Sequence, residues 1–215
     1  MHVTVIAKAP VPGRVKTRLC PPCTPQQAAD LAAAALRDTL DAVSAATWAT
    51  HVRRVLLLDG TPPSWIPNDY DIVGQCGGSL ADRLAHGFET LGAGLIVGME
   101  TPHAATDLHA ALSALAHGDD VIGPALDGGY WAIGLGRVDR RVFDGIEMST
   151  LRTCADQMCR LRSLNRRVTV IHQARDIDTF DDVRALAESN AWGRATELAK
   201  VLVATIDDTA VGAAR

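Results

Sequence analysis

The sequence predicts an α/β protein built as a three-layer αβα sandwich around a mixed, mostly parallel sheet. Short apolar runs rich in β-branched residues alternate with amphipathic segments along nearly the whole chain, which is the order of strands and crossover helices in such sheets. Several of these runs contain almost no polar residue, as expected of strands that helices cover on both faces. The content of 47% hydrophobic and 21% charged residues is ordinary for a globular protein.

The first strand is predicted at VTVIA, residues 3–7. Thr24 then begins a helix, because threonine is a good N-cap, Pro25 suits the first helical position and Gln27 completes a capping box. Further strands are expected at 54–59, 70–75, 94–99, 120–125, 129–135 and 167–172. Further helices are expected from Ser79 to about Leu91, from about Thr106 to Gly118, over 150–163, from Asp178 or Thr179, and over 194–203.

We expect one domain over residues 1–205 and a loose C-terminal tail over 206–215, because the tail has few apolar residues to bury. The opening MHVTVIAKAP shows no charged leader and no cleavage site, and the longest apolar runs are too short to cross a bilayer. A cytoplasmic location is therefore predicted. The net charge of −4 gives no broad basic field, so the sequence does not favour a nucleic-acid partner.

The loop after the first strand, KAPVPGRVKTRLCPP, is the strongest functional signal. It carries Lys8, Arg14, Lys16 and Arg18 together with Gly13. Parallel sheets bind ligands beyond the carboxyl ends of their strands, glycine lets backbone N–H groups approach an anion, and arginine and lysine hold phosphate oxygens. The loop predicts a phosphate site, although a solvated basic loop would have the same composition.

The cysteines of the same loop suggest a second interpretation. Cys20 and Cys23 form a C-x-x-C pattern, which occurs in redox and metal sites. Cys20 lies behind two prolines rather than at the helix start, and Cys154 and Cys159 do not have the spacing of a second zinc-binding pair. The odd total of five cysteines and the absence of a secretion signal predict reduced thiols.

Five segments carry a resemblance to a known family. KAPVPGRVKTRL, GGSLADRL, GMETPH, GPALDGGYWAIGL and RDIDTFDDV occur in this order, and together they resemble the glycosyltransferase-like selenodomain-associated transferases, a domain of unknown function. The resemblance covers residues 3 to 188. Its wider relatives share the GT-A, nucleotide-diphospho-sugar transferase fold, which is Rossmann-like, and include phospholactate and molybdopterin-cofactor guanylyltransferases.

The resemblance implies roles for the first loop, and the glycine-rich composition of the loop after the third strand suggests further contacts. Gly13, Arg14, Lys16 and Arg18 would hold the phosphates of a nucleotide, with Lys16 as the main charge on the departing group. Gly77 and Gly78 could let the backbone read a nucleobase, Gln75 could add an amide contact, and Arg83 could brace this loop or reach phosphate. A flexible turn before the Ser79 cap would explain the same glycines.

The carboxylates point to a cation and an acceptor. Glu100 follows the central strand where the family normally has Asp in a motif that binds metal, and Asp178 would be a second ligand of Mg²⁺ or Mn²⁺. The position of Asp178 at a helix start favours a different role, because Asp178 or Thr179 is expected to be the N-cap. By the resemblance, Asp127, Gly128, Gly129 and Tyr130 would contact the acceptor, with Asp127 as a candidate base, although Asp-Gly is also common in hairpin turns. Tyr130 and Trp131 could offer a stacking face or belong to the core.

These features predict a metal-assisted transferase that uses a nucleotide-activated substrate, with glycosyl transfer from a nucleotide sugar as the first hypothesis. A nucleotidyltransferase of guanylyl or cytidylyl type that releases pyrophosphate is one alternative, and a nucleotide-binding module without turnover is another. The expected partners are a nucleotide or nucleotide sugar and a small-molecule acceptor, without nucleic acid or a membrane span. The chain could also form a homodimer.

Overall fold

The computed structural model describes residues 1–101 and 108–213. Within them the chain forms seven strands and six α-helices in the alternating order that the sequence predicts. The strands are β1 (His2–Lys8), β2 (Arg53–Asp59), β3 (Asp71–Gly74), β4 (Gly94–Gly98), β5 (Asp120–Pro124), β6 (Tyr130–Leu135) and β7 (Val168–Val170). The helices are α1 (Pro25–Thr47), α2 (Leu80–Leu91), α3 (Leu108–Ala116), α4 (Thr153–Ser163), α5 (Phe180–Glu188) and α6 (Arg194–Ala213).

The strands form one sheet in the order β3-β2-β1-β4-β6-β5-β7. β6 runs antiparallel to both of its neighbours, and the other pairings are parallel. The carboxyl ends of β1 to β5 therefore share one edge of the sheet with the turn that leads into β6. This is the mixed, mostly parallel sheet that the sequence predicts, and the fold class is confirmed.

Helices cover both faces of the sheet. On one face, α1 and α3 pack on alternate residues of the central strands, such as Val3, Val5 and Val97. On the other face, α2 and α4 pack on residues such as Ile96 and Ile133. Each central strand is thus buried on both sides, which is why its sequence shows an apolar run instead of alternation.

The helix starts at Thr24 and Ser79 are confirmed. In each helix, the hydroxyl of the capping residue accepts a hydrogen bond from the backbone N–H three residues later. The side chain of that later residue, Gln27 or Asp82, accepts a hydrogen bond from the backbone N–H of the capping residue. These reciprocal bonds satisfy backbone donors that would otherwise lack partners. The predicted start of the third helix, near Thr106, lies outside the described residues.

The helix α6 continues to Ala213, beyond the 194–203 expected from the sequence and into the segment 206–215 for which a loose tail is predicted. Ile206 packs against a cluster of buried apolar residues that joins α1, α5 and α6. Asp207 accepts two hydrogen bonds from Arg184 on α5. The assignment of residues 1–205 to a single domain stays a prediction.

Buried polar groups lie at the amino edge of the sheet, opposite the strand ends considered below. Asp120, at the start of β5, is 1% exposed and forms a two-pronged ion pair with Arg166. The His2 imidazole bonds Gly92 O at 3.1 Å and Thr4 Oγ1 at 2.7 Å. Burial lowers the pKa of His2 to about 4, so this ring is neutral at physiological pH.

None of the helices in residues 1–101 and 108–213 combines the length and the hydropathy that crossing a bilayer requires.

Candidate functional site

A cleft of about 490 Å³ opens at the carboxyl edge of the sheet. Its walls come from the loops after β1, β3 and β4, from the β5–β6 turn and from the segment after β7. Many of the candidate residues from the sequence line it, namely Lys8, Arg14, Lys16, Arg18, Gln75, Arg83, Glu100, Asp127, Gly129, Tyr130 and Asp178. Segments that are far apart in the chain thus meet where the parallel strands end.

Four candidate glycines do not line the cleft: Gly13, Gly77, Gly78 and Gly128. Gly128 has a structural explanation, because its backbone is left-handed at φ 89° and an added Cβ would lie 2.4 Å from the Leu151 carbonyl oxygen. Gly78 is also left-handed, and a Cβ there would lie 2.8 Å from an Asp82 carboxylate oxygen that caps α2. The role of Gly128 as an acceptor contact is therefore not supported.

The first loop is fixed by apolar residues between its cations. Val15 and Leu19 are buried, and they belong to two different apolar clusters of the protein. A 3₁₀ turn covers Thr17–Leu19. All four cations line the cleft. Lys8, Arg14 and Arg18 are nevertheless exposed, and only the Lys16 side chain is buried.

Lys16 is the most buried of the loop cations, with only 4% of its side chain exposed. Its ammonium pairs with the Glu100 carboxylate and donates a hydrogen bond to the Ile177 carbonyl. The Ile177 N–H in turn donates to the Glu100 carbonyl at 3.2 Å. Lys16 has a left-handed backbone with φ 50°, a conformation that costs energy for a residue with a Cβ. The lysine therefore connects the loops after β1, β4 and β7.

Arg18 makes the second connection from the same loop. Its guanidinium donates to Asp178 at 2.5 Å, and 73% of its side chain is exposed. The pKa of Arg18 is raised mainly by this hydrogen bond and charge, with smaller contributions from Asp127 and Glu100. Thr179, rather than Asp178, is the N-cap of α5. Asp178 is thus free of the capping role and faces the first loop.

Asp127 lies in the β5–β6 turn and also lines the cleft. One carboxylate oxygen, Oδ1, accepts a hydrogen bond from the Gly129 N–H at 2.8 Å, as in common Asx turns. Asp127 therefore stabilises the turn, as expected of an Asp-Gly sequence. No described residue donates a hydrogen bond to the other oxygen, Oδ2, and this atom is available to a ligand.

The sequence analysis missed Asp176 as a site residue. This aspartate lines the cleft, and burial raises its pKa to about 6, with added effects from the charges of Asp127 and Glu100. Carboxylic acids with raised pKa values in clefts are frequent at functional sites. Its place after the last strand was the available signal, but helix capping in the same segment concealed it.

Ser149 is another residue that sequence reasoning missed. It lines the cleft beside Met148 and has a left-handed backbone at φ 62°. Such a conformation is uncommon for serine and is often found at functional sites.

Gln75 and Arg83 brace the loop after β3. Both N–H groups of the Gln75 amide donate to strand carbonyls, at 2.7 Å to Ala7 and 3.0 Å to Leu57. Its amide oxygen accepts from Arg83 at 3.1 Å. All the hydrogen-bonding groups of the Gln75 amide are therefore used within the protein. Its bond to Arg83 positions the Arg83 guanidinium at the cleft wall.

Tyr130 and Trp131 belong mainly to the core. Trp131 is 5% exposed and donates its indole N–H to the His172 carbonyl at 3.1 Å. The Tyr130 hydroxyl donates to Gln157 at 3.3 Å, and burial raises its pKa. Their structural interpretation is the better supported one.

The cysteine pair has no sign of chemistry. All five cysteines are unpaired in the structure. Cys23 is 4% exposed and packs in the cluster of α1, α5 and α6. Burial, followed by the neighbouring Cys20, raises the pKa of this thiol, which disfavours the thiolate that redox and metal chemistry need.

The carboxylates of the cleft have the chemistry that a hard divalent cation prefers. Burial is the main cause of the raised pKa of Asp176, and the charges of Asp127 and Glu100 add to it; such an ion would offset these charges. Within residues 1–101 and 108–213, however, no group of three or more His, Cys, Asp or Glu side chains is arranged to hold a metal. Glu100 and Asp178 contact cations of the first loop instead. Carboxylate oxygens are suitable ligands for a divalent cation. To bind one, Glu100 and Asp178 would have to break their ion pairs with Lys16 and Arg18.

Comparison with solved structures defines the class of fold. A protein from Desulfovibrio desulfuricans G20, described provisionally as a nucleotide-diphospho-sugar transferase, matches with a TM-score of 0.83 and 24% identity over 97% of this chain and 98% of the other. A cytidylyltransferase from Leptospira borgpetersenii serovar Hardjo-bovis (strain JB197) matches with a TM-score of 0.52 and 11% identity over 95% and 94%. The bifunctional IspDF from Campylobacter jejuni gives 0.51 and 10% over 86% and 54%. At these identities the shared property is the fold.

The sequence itself gives the family. The model of the family described as "uncharacterized protein conserved in bacteria (DUF2064)" matches residues 35–150, slightly more than half of the chain, and the protein belongs to this family. A search of curated proteins finds no match.

Proposed function

We propose that the protein is a metal-assisted transferase that acts on a nucleotide-activated substrate. The main support is that the cations of the first loop line the same cleft as four carboxylates, at the carboxyl edge of the sheet. These carboxylates belong to Glu100, Asp127, Asp176 and Asp178. Cations in this position suit a diphosphate or triphosphate. The fold of transferases and the five sequence segments that resemble selenodomain-associated transferases support the same proposal.

Each group has a role in this proposal. Lys8, Arg14, Lys16 and Arg18 bind the phosphates, and Lys16 compensates the charge that develops on the departing phosphate oxygen. Glu100 would hold the divalent cation, Mg²⁺ or Mn²⁺, with Asp178 or Asp176 as a further ligand. When bound, this ion supplies additional positive charge to the phosphate oxygens. In glycosyl transfer, Asp127 would orient the acceptor and accept the proton of its attacking hydroxyl. In nucleotidyl transfer to a phosphate oxygen there is no such proton, and Asp127 would only orient the acceptor.

Glycosyl transfer from a nucleotide sugar is the first form of this reaction. The bond between the sugar's anomeric carbon and the diphosphate oxygen breaks, the acceptor oxygen bonds that carbon, and a nucleoside diphosphate leaves. The similarity to a protein described as a nucleotide-diphospho-sugar transferase favours this form.

Nucleotidyl transfer is the second form, and a specific observation favours it as well. Four cations of one loop line the cleft, which suits the higher charge of a nucleoside triphosphate. Here a phosphorylated acceptor attacks the α-phosphate and pyrophosphate leaves. The resemblance of the first loop to guanylyltransferases and the shared fold of a cytidylyltransferase agree with this form.

A product-release assay separates these forms. The protein is incubated with a panel of nucleotide sugars and nucleoside triphosphates plus Mg²⁺ or Mn²⁺ and candidate acceptors, and nucleoside diphosphate and pyrophosphate are measured. Diphosphate release supports glycosyl transfer, and pyrophosphate release supports nucleotidyl transfer. Nucleotide binding without either product would indicate a binding module, and absence of nucleotide binding would contradict the proposal.

A further inference from the structure

The charged residues that line the cleft are separated by the sign of their charge. Among the described residues, the lining cations come from the end of β1, from the loop that follows it and from α2: Lys8, Arg14, Lys16, Arg18 and Arg83. The lining carboxylates all follow β4, β5 or β7: Glu100, Asp127, Asp176 and Asp178. The cleft therefore has a basic side and an acidic side.

Two carboxylates of the acidic side have no cation partner. Glu100 and Asp178 form ion pairs with cations of the first loop. Within residues 1–101 and 108–213, neither Asp127 nor Asp176 forms an ion pair, although both line the cleft. Once the paired groups are set aside, these two carboxylates determine the charge of the acidic side.

The backbone holds Asp127 and Asp176 next to each other. Ala125 and Ala174 form a parallel bridge, and the Leu126 N–H donates to the Ala174 carbonyl at 3.0 Å. Each aspartate follows its bridge residue by two positions, so both leave the sheet at the same level. The charge of Asp127 contributes, after burial, to the raised pKa of Asp176, which agrees with this proximity.

The free hydrogen-bonding groups beside these carboxylates suit an alcohol. The Oδ2 atom of Asp127 and the hydroxyl of Ser149, which also lines the cleft, have no hydrogen-bond partner in the part of the chain that the structure describes. A carboxylate oxygen only accepts hydrogen bonds, and an alcohol supplies the proton that it needs. A phosphate monoester at pH 7 carries between one and two negative charges and presents mainly acceptor oxygens.

We propose that the acceptor is a hydroxyl compound without phosphate or carboxylate groups, and that Asp127 and Asp176 exclude anionic acceptors. The phosphates of the donor nucleotide would occupy the basic side. An acceptor phosphate would then face both carboxylates and the donor phosphates, and like charges repel strongly in a partly buried site.

This inference rests on the proposed function, because it names the class of acceptor used at the same site. It selects glycosyl transfer, in which the acceptor hydroxyl gives its proton to Asp127, its oxygen bonds the anomeric carbon and the nucleoside diphosphate leaves. Nucleotidyl transfer to a phosphorylated acceptor would require an anion on the acidic side.

Matched pairs of acceptors test the selection in the wild type. Sugars and polyols are compared with their own phosphate monoesters in the product-release assay. The free hydroxyl compound of a pair should give a kcat/KM about tenfold or more above that of its phosphate ester. An equal or higher value for the phosphate ester overturns the inference.

A binding measurement decides the question when no pair gives turnover. Each protein is saturated with a nucleoside diphosphate in the presence of Mg²⁺, and glycerol 3-phosphate is titrated as the anionic probe by isothermal titration calorimetry. The double variant Asp127→Asn, Asp176→Asn should bind this probe about tenfold or more tightly than the wild type. The amides keep the size of the side chains and remove their charges. If the double variant does not fold, each single variant should show a gain of about threefold or more.

Asp59→Asn is the matched control. Asp59 is exposed at the end of β2 on the same edge of the sheet, but it does not line the cleft. Its replacement should change the affinity for glycerol 3-phosphate by less than about threefold, because a solvent-exposed charge is screened. The same gain in Asp59→Asn as in the double variant would show a general charge effect and overturn the inference.

The remaining outcomes separate the inference from the proposed function. Equal behaviour of the wild type and the charge-removal variants toward glycerol 3-phosphate, whether binding or no binding, overturns the inference, while nucleotide binding by the wild type still supports a transferase. Failure of the wild type to bind any nucleotide contradicts the proposed function itself.

Discussion

Asp127 shows at the scale of a single residue how one side chain can serve both structure and chemistry. Its Oδ1 atom stabilises the β5–β6 turn through the Gly129 N–H, while Oδ2 has no hydrogen-bond donor among the described residues. The turn therefore holds the carboxylate in one orientation at the cleft. Sequence alone could not separate the two roles, because an Asp-Gly turn has the same letters with or without a ligand.

Replacement of Asp127 by Asn tests its proposed role. The amide keeps an oxygen for the Gly129 N–H but cannot accept a proton from an acceptor hydroxyl, so kcat for glycosyl transfer should fall about 100-fold or more while the melting temperature and the nucleotide affinity change little. Steady-state kinetics on the substrate found in the release assay checks this. Unchanged kcat would remove Asp127 from the catalytic residues.

His2 gives a prediction about acid stability. Because burial lowers its pKa from 6.5 to about 4, the unfolded chain binds the proton more tightly than the folded one. The stabilisation is complete above pH 6.5, declines as the pH falls, and is lost at about pH 4. From the size of the shift it amounts to about 3 kcal/mol.

The His2→Gln variant removes this titration. Urea denaturation between pH 4 and pH 7 should show a flatter dependence of the free energy of unfolding on pH than in the wild type. Exposed His86 provides the control, because His86→Gln should leave the slope as it is. Equal slopes for wild type and His2→Gln would show that another group controls acid stability.

At the scale of elements, helix starts were the most predictable features. Thr24 and Ser79 begin their helices as expected, since the capping residues are consecutive in the sequence and act locally. The end of α6 was not predictable, because Ile206 and Asp207 depend on partners on other elements, including Arg184 on α5. Local chemistry can be inferred from sequence, whereas long-range packing cannot.

The β5–β6 turn depends on Gly128. Gly128→Ala should destabilise the protein by about 2 kcal/mol or more, because the left-handed φ disfavours alanine and its Cβ would overlap the Leu151 backbone. Gly77→Ala is the control, since no atom lies within 4 Å of a Cβ there. Thermal unfolding checks both, and equal melting temperatures would contradict the structural role of Gly128.

The Asp120–Arg166 pair joins β5 to the segment before β7 at the amino edge. Both side chains are at least 95% buried, so Asp120→Ala leaves a buried guanidinium unpaired and should cost about 3–5 kcal/mol. The exposed pair Arg53–Asp71 is the comparison, where Asp71→Ala should cost about 1 kcal/mol or less. Chemical denaturation measures both, and similar losses would contradict the assigned importance of burial.

At the scale of the whole molecule, the sheet edge explains why much of the site could be predicted. Once the alternating pattern predicts a mostly parallel sheet, the loops after its strands are expected to meet at one edge, and Lys16, Glu100 and Asp127 lie in such loops. The rule does not give side-chain partners. The pairing of Lys16 with Glu100 and the crowding around Asp176 appear only when the loops after β1, β4 and β7 are placed together.

The central claim is that cations of the first loop bind the polyphosphate of a nucleotide in this cleft. The most direct measurement is calorimetric titration of nucleoside triphosphates with Mg²⁺ into the wild type, Lys16→Met and Lys200→Met, a variant of an exposed lysine on α6 paired with Glu197. The account predicts binding by the wild type and Lys200→Met, and affinity at least about tenfold weaker in Lys16→Met. Equal affinity in all three proteins, or no binding by the wild type, would contradict it.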